Sequence, residues 1–488
     1  MPNSGISTKN DTSRAPTIVY ATPKERDAAV VELRRIFLDR PDAVSTEPGD
    51  PDYIPPVHQH SVVVYPESTE DVVKIVKVAN KYRVPVVPYA AGTSLEGHLN
   101  GSSSGSICVD MARMNKVLEI HEVDADMVCQ PAVGWMEINE TLRDRGIPLF
   151  FPLDPAPSAS IGGMFSTGCS GTNAVRYGTA RAEWFLNATI VLPSGEVIKT
   201  RRRSRKSSAG FDVTKLFIGA EGTLGIVTEL TIRLAPLEQT TVATVRFPDV
   251  RHATEAVVEI LNSGIPVQCV ELCDEHFMRA LNLHGGSQRK YSETDHLFIK
   301  LQGSTPRALA ENADRAKNVV QRHEGEGWAL AGNEEEAESM WADRKNGPFA
   351  CVMYGGPGAR VWSTDVCVPI SKLPQLVDET RKDIDDSGIK SAMVGHVGDG
   401  NFHAILLFKD GAEHEIARGL VERMVKRALA LDGTCTGEHG VGTGKKKFLE
   451  EELGEETVRL MKKIKRTIDP LNLFNPGKVS RPYPVWSM

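Results

Sequence analysis

The sequence predicts an α+β fold of two larger domains behind a short N-terminal region. Three observations carry this prediction. At 488 residues the chain is longer than one hydrophobic core organises. Up to about Pro236, short strand-like runs bounded by Gly and Pro turns mix with a few helices. After Pro236 long polar helices alternate with strands, the pattern of a second α+β domain with an antiparallel sheet that covers the first. The divisions read from these changes are 1–55 for an arm and a helix, 56–236 for the first domain and 237–480 for the second.

Residues Glu25 to Arg40 have helical periodicity, and a Pro-rich connector follows from Pro48 to Pro56. A βαβ unit comes next. His60 to Val64 reads as a strand, Ser68 caps a helix from Thr69 to Tyr82 with Asp71 three residues on, and Val84 to Pro88 is a second strand. Asn187 to Leu192 is strand-like and ends in the turn Pro193-Ser194-Gly195. In the second half, helices are expected over Pro306 to Arg322 and His414 to Leu431, with strands over Leu297 to Leu301 and Phe402 to Phe408.

Composition excludes several classes. Hydrophobic residues make up 41% and charged residues 25%, as in ordinary globular domains. A formal charge of −7 argues against a general nucleic-acid binder, and no run of about 18 apolar residues exists to form a membrane-spanning helix. The eight cysteines are scattered. Cys269 and Cys273 lie close together, but no second pair completes a zinc motif, and the low density suggests reduced thiols inside the cell. Met1 to Thr22 has no apolar core and only Lys9 and Arg14 as basic residues, so it reads as a disordered arm and a poor mitochondrial transit peptide. The basic run Lys199, Arg201, Arg202, Arg203, Arg205 and Lys206 reads as a solvated loop, with an acidic partner or a cofactor entrance as the other roles open to it.

Two sets of residues carry chemistry. The first is three Gly/Ser/Thr blocks: Ala90 to His98, which follows a strand; Pro152 to Gly163 continuing through Gly168 to Asn173; and Gly219 to Val227. Glycines there let the backbone approach a phosphate closely. None is a Rossmann fingerprint or a P-loop, and three separate blocks suit an extended ligand such as a dinucleotide. The second set is Gly395-His396-Val397-Gly398-Asp399-Gly400-Asn401-Phe402-His403. Asp399-Gly400 is a favoured two-residue hairpin turn, which would place His396 directly opposite His403, with Cβ atoms about 4.5–5.5 Å apart. Such histidines often only cap a hairpin. The glycines at 395, 398 and 400, and the following Gly437-Glu438-His439-Gly440, favour a shared metal with Glu438 as a further ligand. A His₂-carboxylate set with open positions suits Zn, Mn or Fe.

Together these residues resemble a known family. Pro66 to Val72, Val86 to Pro88, Gly92 to Gly97 and Gly219 to Gly225 resemble the PCMH-type FAD-binding domain of the vanillyl-alcohol oxidase flavoproteins. The histidine blocks and Asn475-Pro476 resemble the branch that oxidises D-2-hydroxy acids, among them D-lactate, glycolate and D-2-hydroxyglutarate. The resemblance implies a two-subdomain FAD domain followed by a cap domain that binds substrate. It implies non-covalent FAD held at Pro88, Ala91, Gly92, Thr93, Ser94, Leu95, Glu96, Gly97, Pro152, Asp154, Ser160, Ile161, Gly162, Gly163, Gly168, Gly171, Thr172, Glu221, Gly222, Gly225, Ile226, Val227 and Asn475, with no tether to His98. A divalent metal is implied at His396, His403 and Glu438, the catalytic base at His439, and a substrate-carboxylate clamp at Arg344. The implied reaction is oxidation of D-lactate, or a similar small D-2-hydroxy acid, to the 2-oxo acid, with hydride passing to flavin N5.

Thr364 to Pro369 and the loop from Gly92 to His98 favour the members that pass electrons to cytochrome c, while a quinone, an electron-transfer flavoprotein and oxygen stay open. A mitochondrial location follows from the resemblance alone, with the cytoplasm as the alternative. Ser363 and Ile405 stand where hydroxyglutarate enzymes carry groups for a second carboxylate. An apolar Ile405 would leave that charge unpaired, so a short monocarboxylate is expected. A non-redox FAD-dependent transferase and a flavin-free metal hydrolase are the rival readings.

Overall fold

The computed structural model describes residues 18–47 and 58–479. The connector expected at Pro48–Pro56, and the arm up to residue 17, lie outside the described residues.

Three larger sheets organise the described residues. In the first, Val62–Val64 and Val86–Tyr89 both run parallel to Ile107–Asp110, which lies between them, and Val44–Ser45 adds an antiparallel edge. The βαβ unit is therefore present, with one strand inserted between its two strands. Its helix, Thr69–Tyr82, starts where Ser68 Oγ accepts from Asp71 N at 3.2 Å. The Asp71 carboxylate does not return to the cap. It accepts from Glu67 N at 3.2 Å and pairs with Arg40 at 2.6 Å. Val72, Ile75, Val76 and Ala79 form the buried face, at the spacing of an amphipathic helix.

The second sheet is antiparallel, in the order Val117–His121, Asp126–Cys129, Ile226–Arg233, Phe185–Val191, Val197–Lys199. The basic run packs against its first turn. Arg203 Nη1 donates to Asp124 at 2.8 Å and to Asp126 at 2.9 Å, and Arg205 donates to the Asp124 carbonyl at 2.8 Å. Its cations are thus partly paired within the chain.

The third sheet is antiparallel throughout and uses residues 239–408. Its order is Glu326–Leu330, Gln239–Phe247, Asp295–Gly303, Val267–Cys273, Lys390–Gly395, Asn401–Phe408, Arg360–Ser363, with Val366–Cys367 also paired to Asn401–Phe408. Side chains alternate between two apolar layers, as strand geometry requires. Val270, Leu272, Ile299 and Leu406 pack under the helices Val250–Asn262, Pro306–Arg322, Leu373–Ser387 and Gly411–Ala430. Cys269, Cys273, Phe298 and Ile405 face Glu275–His284 and Glu334–Tyr354. Glu271 and His403 fall in this second register.

Several expected elements differ. The first helix spans Pro23–Ile36 and stops short of Arg40, which precedes Pro41 and is held out of helical backbone by it. The first strand of the βαβ unit is shorter, at Val62–Val64, and the second starts two residues later and ends one later, at Val86–Tyr89. The two-residue hairpin at Asp399-Gly400 does not form. Val394, not His396, lies opposite His403.

Candidate active site

The chain between the paired residues Val394 and His403 makes a wider turn. Gly395 pairs with Leu272 of the neighbouring strand, Val397–Asp399 form a 3₁₀ turn, and Asn401 N returns to the His396 carbonyl at 3.3 Å. Gly400 takes φ +86°, and a Cβ there would stand 2.1 Å from the Val368 carbonyl oxygen, so glycine is required. The wider turn still brings the His396 and His403 rings to 5.3 Å between centroids.

Glu438 completes the cluster. Its Oε1 lies 3.6 Å from His396 Nε2 and 3.2 Å from His403 Nε2, and the three ligand atoms all fall within 4.8 Å of one another. Ligands at about 2.1 Å from one tetrahedral ion sit about 3.4 Å apart, so the donor set fits a divalent metal with positions left for substrate. The partners behind the ligands fix their orientation. His403 Nδ1 donates to the Thr364 carbonyl at 2.8 Å, and His396 Nδ1 meets the Glu271 carboxylate at 2.9 Å. Ser170 Oγ donates to Glu438 Oε2 at 3.0 Å. Burial works against charge here, but Glu271 and Glu438 outweigh it and hold the His396 pKa well above its ordinary value. Burial also raises Glu438, and the two histidines overcome it and hold its carboxyl well below the usual range. The cluster is thus arranged around positive charge.

His439 stacks on His403 at 5.2 Å between centroids and 12° between planes. Burial pulls its pKa down to about 4, with Asp365 opposing and His403 reinforcing the shift. Its Nδ1 is buried without a hydrogen-bond partner among the described residues.

His439 and Glu438 help to line a cleft with about 1200 Å³ of empty space, its open mouth included. Of the residues expected to hold the cofactor, Pro88, Ala91 to Leu95, Ser160, Gly162, Gly163, Glu221, Gly222, Gly225, Ile226 and Val227 line it. The blocks meet closely: a Cβ on Gly222 would stand 2.3 Å from Pro88 Cγ, and one on Gly162 would stand 2.5 Å from Pro131 Cβ. This close-walled groove fits an extended cofactor.

Glu96, Gly97, Pro152, Asp154, Ile161, Gly168, Gly171, Thr172 and Asn475 do not line the cleft, and Pro152, Asp154, Thr172 and Asn475 are held in hydrogen bonds to the Gly-rich blocks. Thr172 Oγ1 donates to Asp154 at 2.5 Å, and Asn173 Nδ2 donates to the Pro152 carbonyl at 2.9 Å. Asn475 Nδ2 donates to the carbonyls of His98 at 3.2 Å and Glu221 at 2.7 Å. His98 is buried 3.1 Å from Glu221 Oε1, behind the cleft wall.

The profile described as "FAD binding domain" matches residues 60–201, and that described as "FAD linked oxidases, C-terminal domain" matches 237–479. The chain is 44% identical to "D-lactate dehydrogenase [cytochrome], mitochondrial" of Arabidopsis thaliana, over 86% of this chain and 74% of that one. It is 41% identical to "Probable D-lactate dehydrogenase, mitochondrial" of Danio rerio, over 86% and 84%. The chain belongs to the FAD-linked oxidase family that contains these dehydrogenases. Identity to "D-lactate dehydrogenase [cytochrome] 1, mitochondrial" of Saccharomyces cerevisiae is 39%, over 95% and 81%. Substrate-bound p-cresol methylhydroxylase shares the fold at a TM-score of 0.76 and 17% identity, over 94% of this chain and 98% of that one.

Arg344 of this FAD-linked oxidase is buried on Glu334–Tyr354, where its Nη2 donates to Glu271 and its Nε has no partner among the described residues. Glu271 therefore links Arg344 to His396. Ser363 and Ile405 are cross-strand neighbours, and Ile405 belongs to the apolar cluster of Phe277 and Trp341. Sequence reasoning missed Glu271 and Asp365. The signal for Glu271 was a lone acid inside the apolar run Val267–Cys273, every residue of which is buried. Among the described residues no helix is long and apolar enough to cross a membrane, and all eight cysteines are free.

Proposed function

We propose that this oxidase converts D-lactate, or a similarly small D-2-hydroxy acid, to its 2-oxo acid, with FAD in the cleft and a divalent metal at His396, His403 and Glu438. The observation that carries the reading is the His439 imidazole, which lines the cofactor cleft and stacks on a metal-competent histidine. FAD, when bound, supplies the acceptor for the hydride that leaves substrate C2.

The residues divide the remaining work. His396, His403 and Glu438 would hold the metal, which would supply a Lewis acid that lowers the pKa of the substrate hydroxyl. His439 stays unprotonated down to about pH 4, so it takes the hydroxyl proton as general base across the neutral range. Arg344, with an unpartnered Nε and a fork already oriented by Glu271, binds the substrate carboxylate. Ile405 and its apolar neighbours disfavour a second carboxylate. The names of the relatives support D-lactate as substrate, a cytochrome as electron acceptor and the mitochondrion as location, and cytochrome c is the cytochrome proposed. The division at residues 56, 237 and 480 is proposed with it.

The test is the visible spectrum of the holoprotein without oxygen. Flavin bands that bleach with D-lactate and persist with L-lactate support the reading. Bands that no D-2-hydroxy acid bleaches would replace it with a non-redox FAD-dependent transfer.

A further inference from the structure

The segment that carries the proposed base is gripped from both sides. Five consecutive backbone N–H groups, from Glu438 to Gly442, each donate to a side chain. Glu438 N and His439 N go to Asp365 Oδ2 at 3.0 and 2.9 Å. Gly440 N goes to Thr436 Oγ1 at 3.0 Å, and Thr436 Oγ1 itself donates to Asp365 Oδ2 at 2.7 Å. Val441 N and Gly442 N go to Glu221 Oε1 and Oε2 at 2.6 and 2.8 Å. The two carboxylates come from different parts of the fold. Asp365 belongs to the segment between Arg360–Ser363 and Val366–Cys367 beside the third sheet, whereas Glu221 sits in the third Gly-rich block, on the wall of the cofactor cleft.

Both side chains are fully buried, at 0% and 1% exposure, where an uncompensated charge would be prohibitive. Each has a basic neighbour: Lys445 Nζ lies 3.5 Å from Asp365, and His98 Nε2, whose pKa is raised against burial by Glu221, lies 3.1 Å from Glu221. Glu221 also holds φ at +53°, a conformation that costs a non-glycine residue free energy and persists only where the surroundings over-determine it. The bonds leave no room for side chains: a Cβ on Gly440 would stand 2.7 Å from Glu221 Oε1, and one on Gly442 would stand 2.1 Å from the Glu96 carbonyl oxygen.

We propose that Glu221 and Asp365 are positioning residues that clamp the Glu438–Gly442 segment between the cofactor cleft and the third sheet, and that Glu221 thereby sets His439 relative to the flavin. This rests on the reading of His439 as the base. The role differs from the cofactor contact that the position of Glu221 first implied, because its carboxylate turns to the loop. A displacement of about 1 Å at a reacting group costs about 100-fold in rate, so the clamp is read in the chemical step.

The experiment compares the holoprotein with Glu221→Gln and Asp365→Asn, which keep size and remove charge. Three quantities are measured: amide hydrogen exchange over 436–445, the limiting rate and half-saturation for flavin reduction by D-lactate, and photochemical reduction of the same flavin, which does not use His439. The clamp predicts faster exchange at 441–442 in the first variant and at 438–439 in the second. It also predicts an about 100-fold lower limiting rate with D-lactate, a half-saturation concentration changed far less, and unchanged photoreduction. Unaltered exchange and unaltered D-lactate rates in both variants overturn it, as does a loss shared equally by photoreduction. If either variant does not retain FAD, Thr436→Val carries the test, with faster exchange at Gly440 and a slower D-lactate step expected, and no change in either overturning the clamp. If wild-type flavin is bleached by no D-2-hydroxy acid, the proposed function fails, and the exchange measurement still decides the clamp.

Discussion

Burial lowers the His439 pKa to about 4 against the pull of Asp365, so its proton-accepting form prevails at neutral pH. Replacing it with alanine should cut D-lactate-dependent flavin reduction by about 10²–10⁴-fold and leave FAD bound, as read by anaerobic stopped-flow absorbance. Glu271 acts through others. It orients His396 at 2.9 Å and pairs with Arg344. Glu271→Gln should weaken metal affinity by about 10–100-fold, measured by competition with a chelator. The ligands were legible because His396, His403, Glu438 and His439 cluster in two short Gly-rich segments. Glu271 and Asp365 were not, because each is a single carboxylate whose partners lie 36 or more residues away in sequence.

At the scale of elements, local signals served where nothing distant competed. Pro306–Arg322 begins and ends as read, with Thr305 Oγ1 accepting from Ala308 N at 3.1 Å and Pro306 in the first turn. The Asp399-Gly400 turn signal lost to tertiary contacts, namely the pairing of Gly395 with Leu272 and the approach of Val368 to Gly400. Two further outcomes belong here. Gly347→Ala would set a Cβ 1.9 Å from the Phe277 ring, which is fully buried, so it should cost about 1–3 kcal/mol and lower Tm in a thermal melt. Asp295 accepts from Glu275 N at the start of Glu275–His284, at 2.9 Å. Burial, then Asp274, raises its pKa to about 7, so the folded chain binds a proton there that the unfolded chain has released. Stability from this group is therefore present below about pH 4 and lost as pH rises towards 7. Asp295→Asn should remove that part of the slope in denaturant melts taken between pH 4 and 8.

Across the whole molecule, the class of fold and the change in pattern near residue 236 were readable, because periodicity reports how each segment is buried. The way the far end of the chain returns to the first sheet was not, because no periodic pattern encodes it. Asn475 holds the first and third Gly-rich blocks together through the carbonyls of His98 and Glu221. Asn475→Leu strands two buried carbonyls at about 1–3 kcal/mol each, so FAD should bind at least about tenfold more weakly in a dilution experiment followed by flavin fluorescence. Next to it, Val86 N donates to the Leu473 carbonyl and Asn475 N to the Val86 carbonyl, both at 2.7 Å. During translation the edge of that sheet thus stays bare until residue 475 has left the ribosome, roughly 20–80 s after Val86 at about 5–20 residues per second. Through that interval a nascent chain presents an open strand edge to its neighbours.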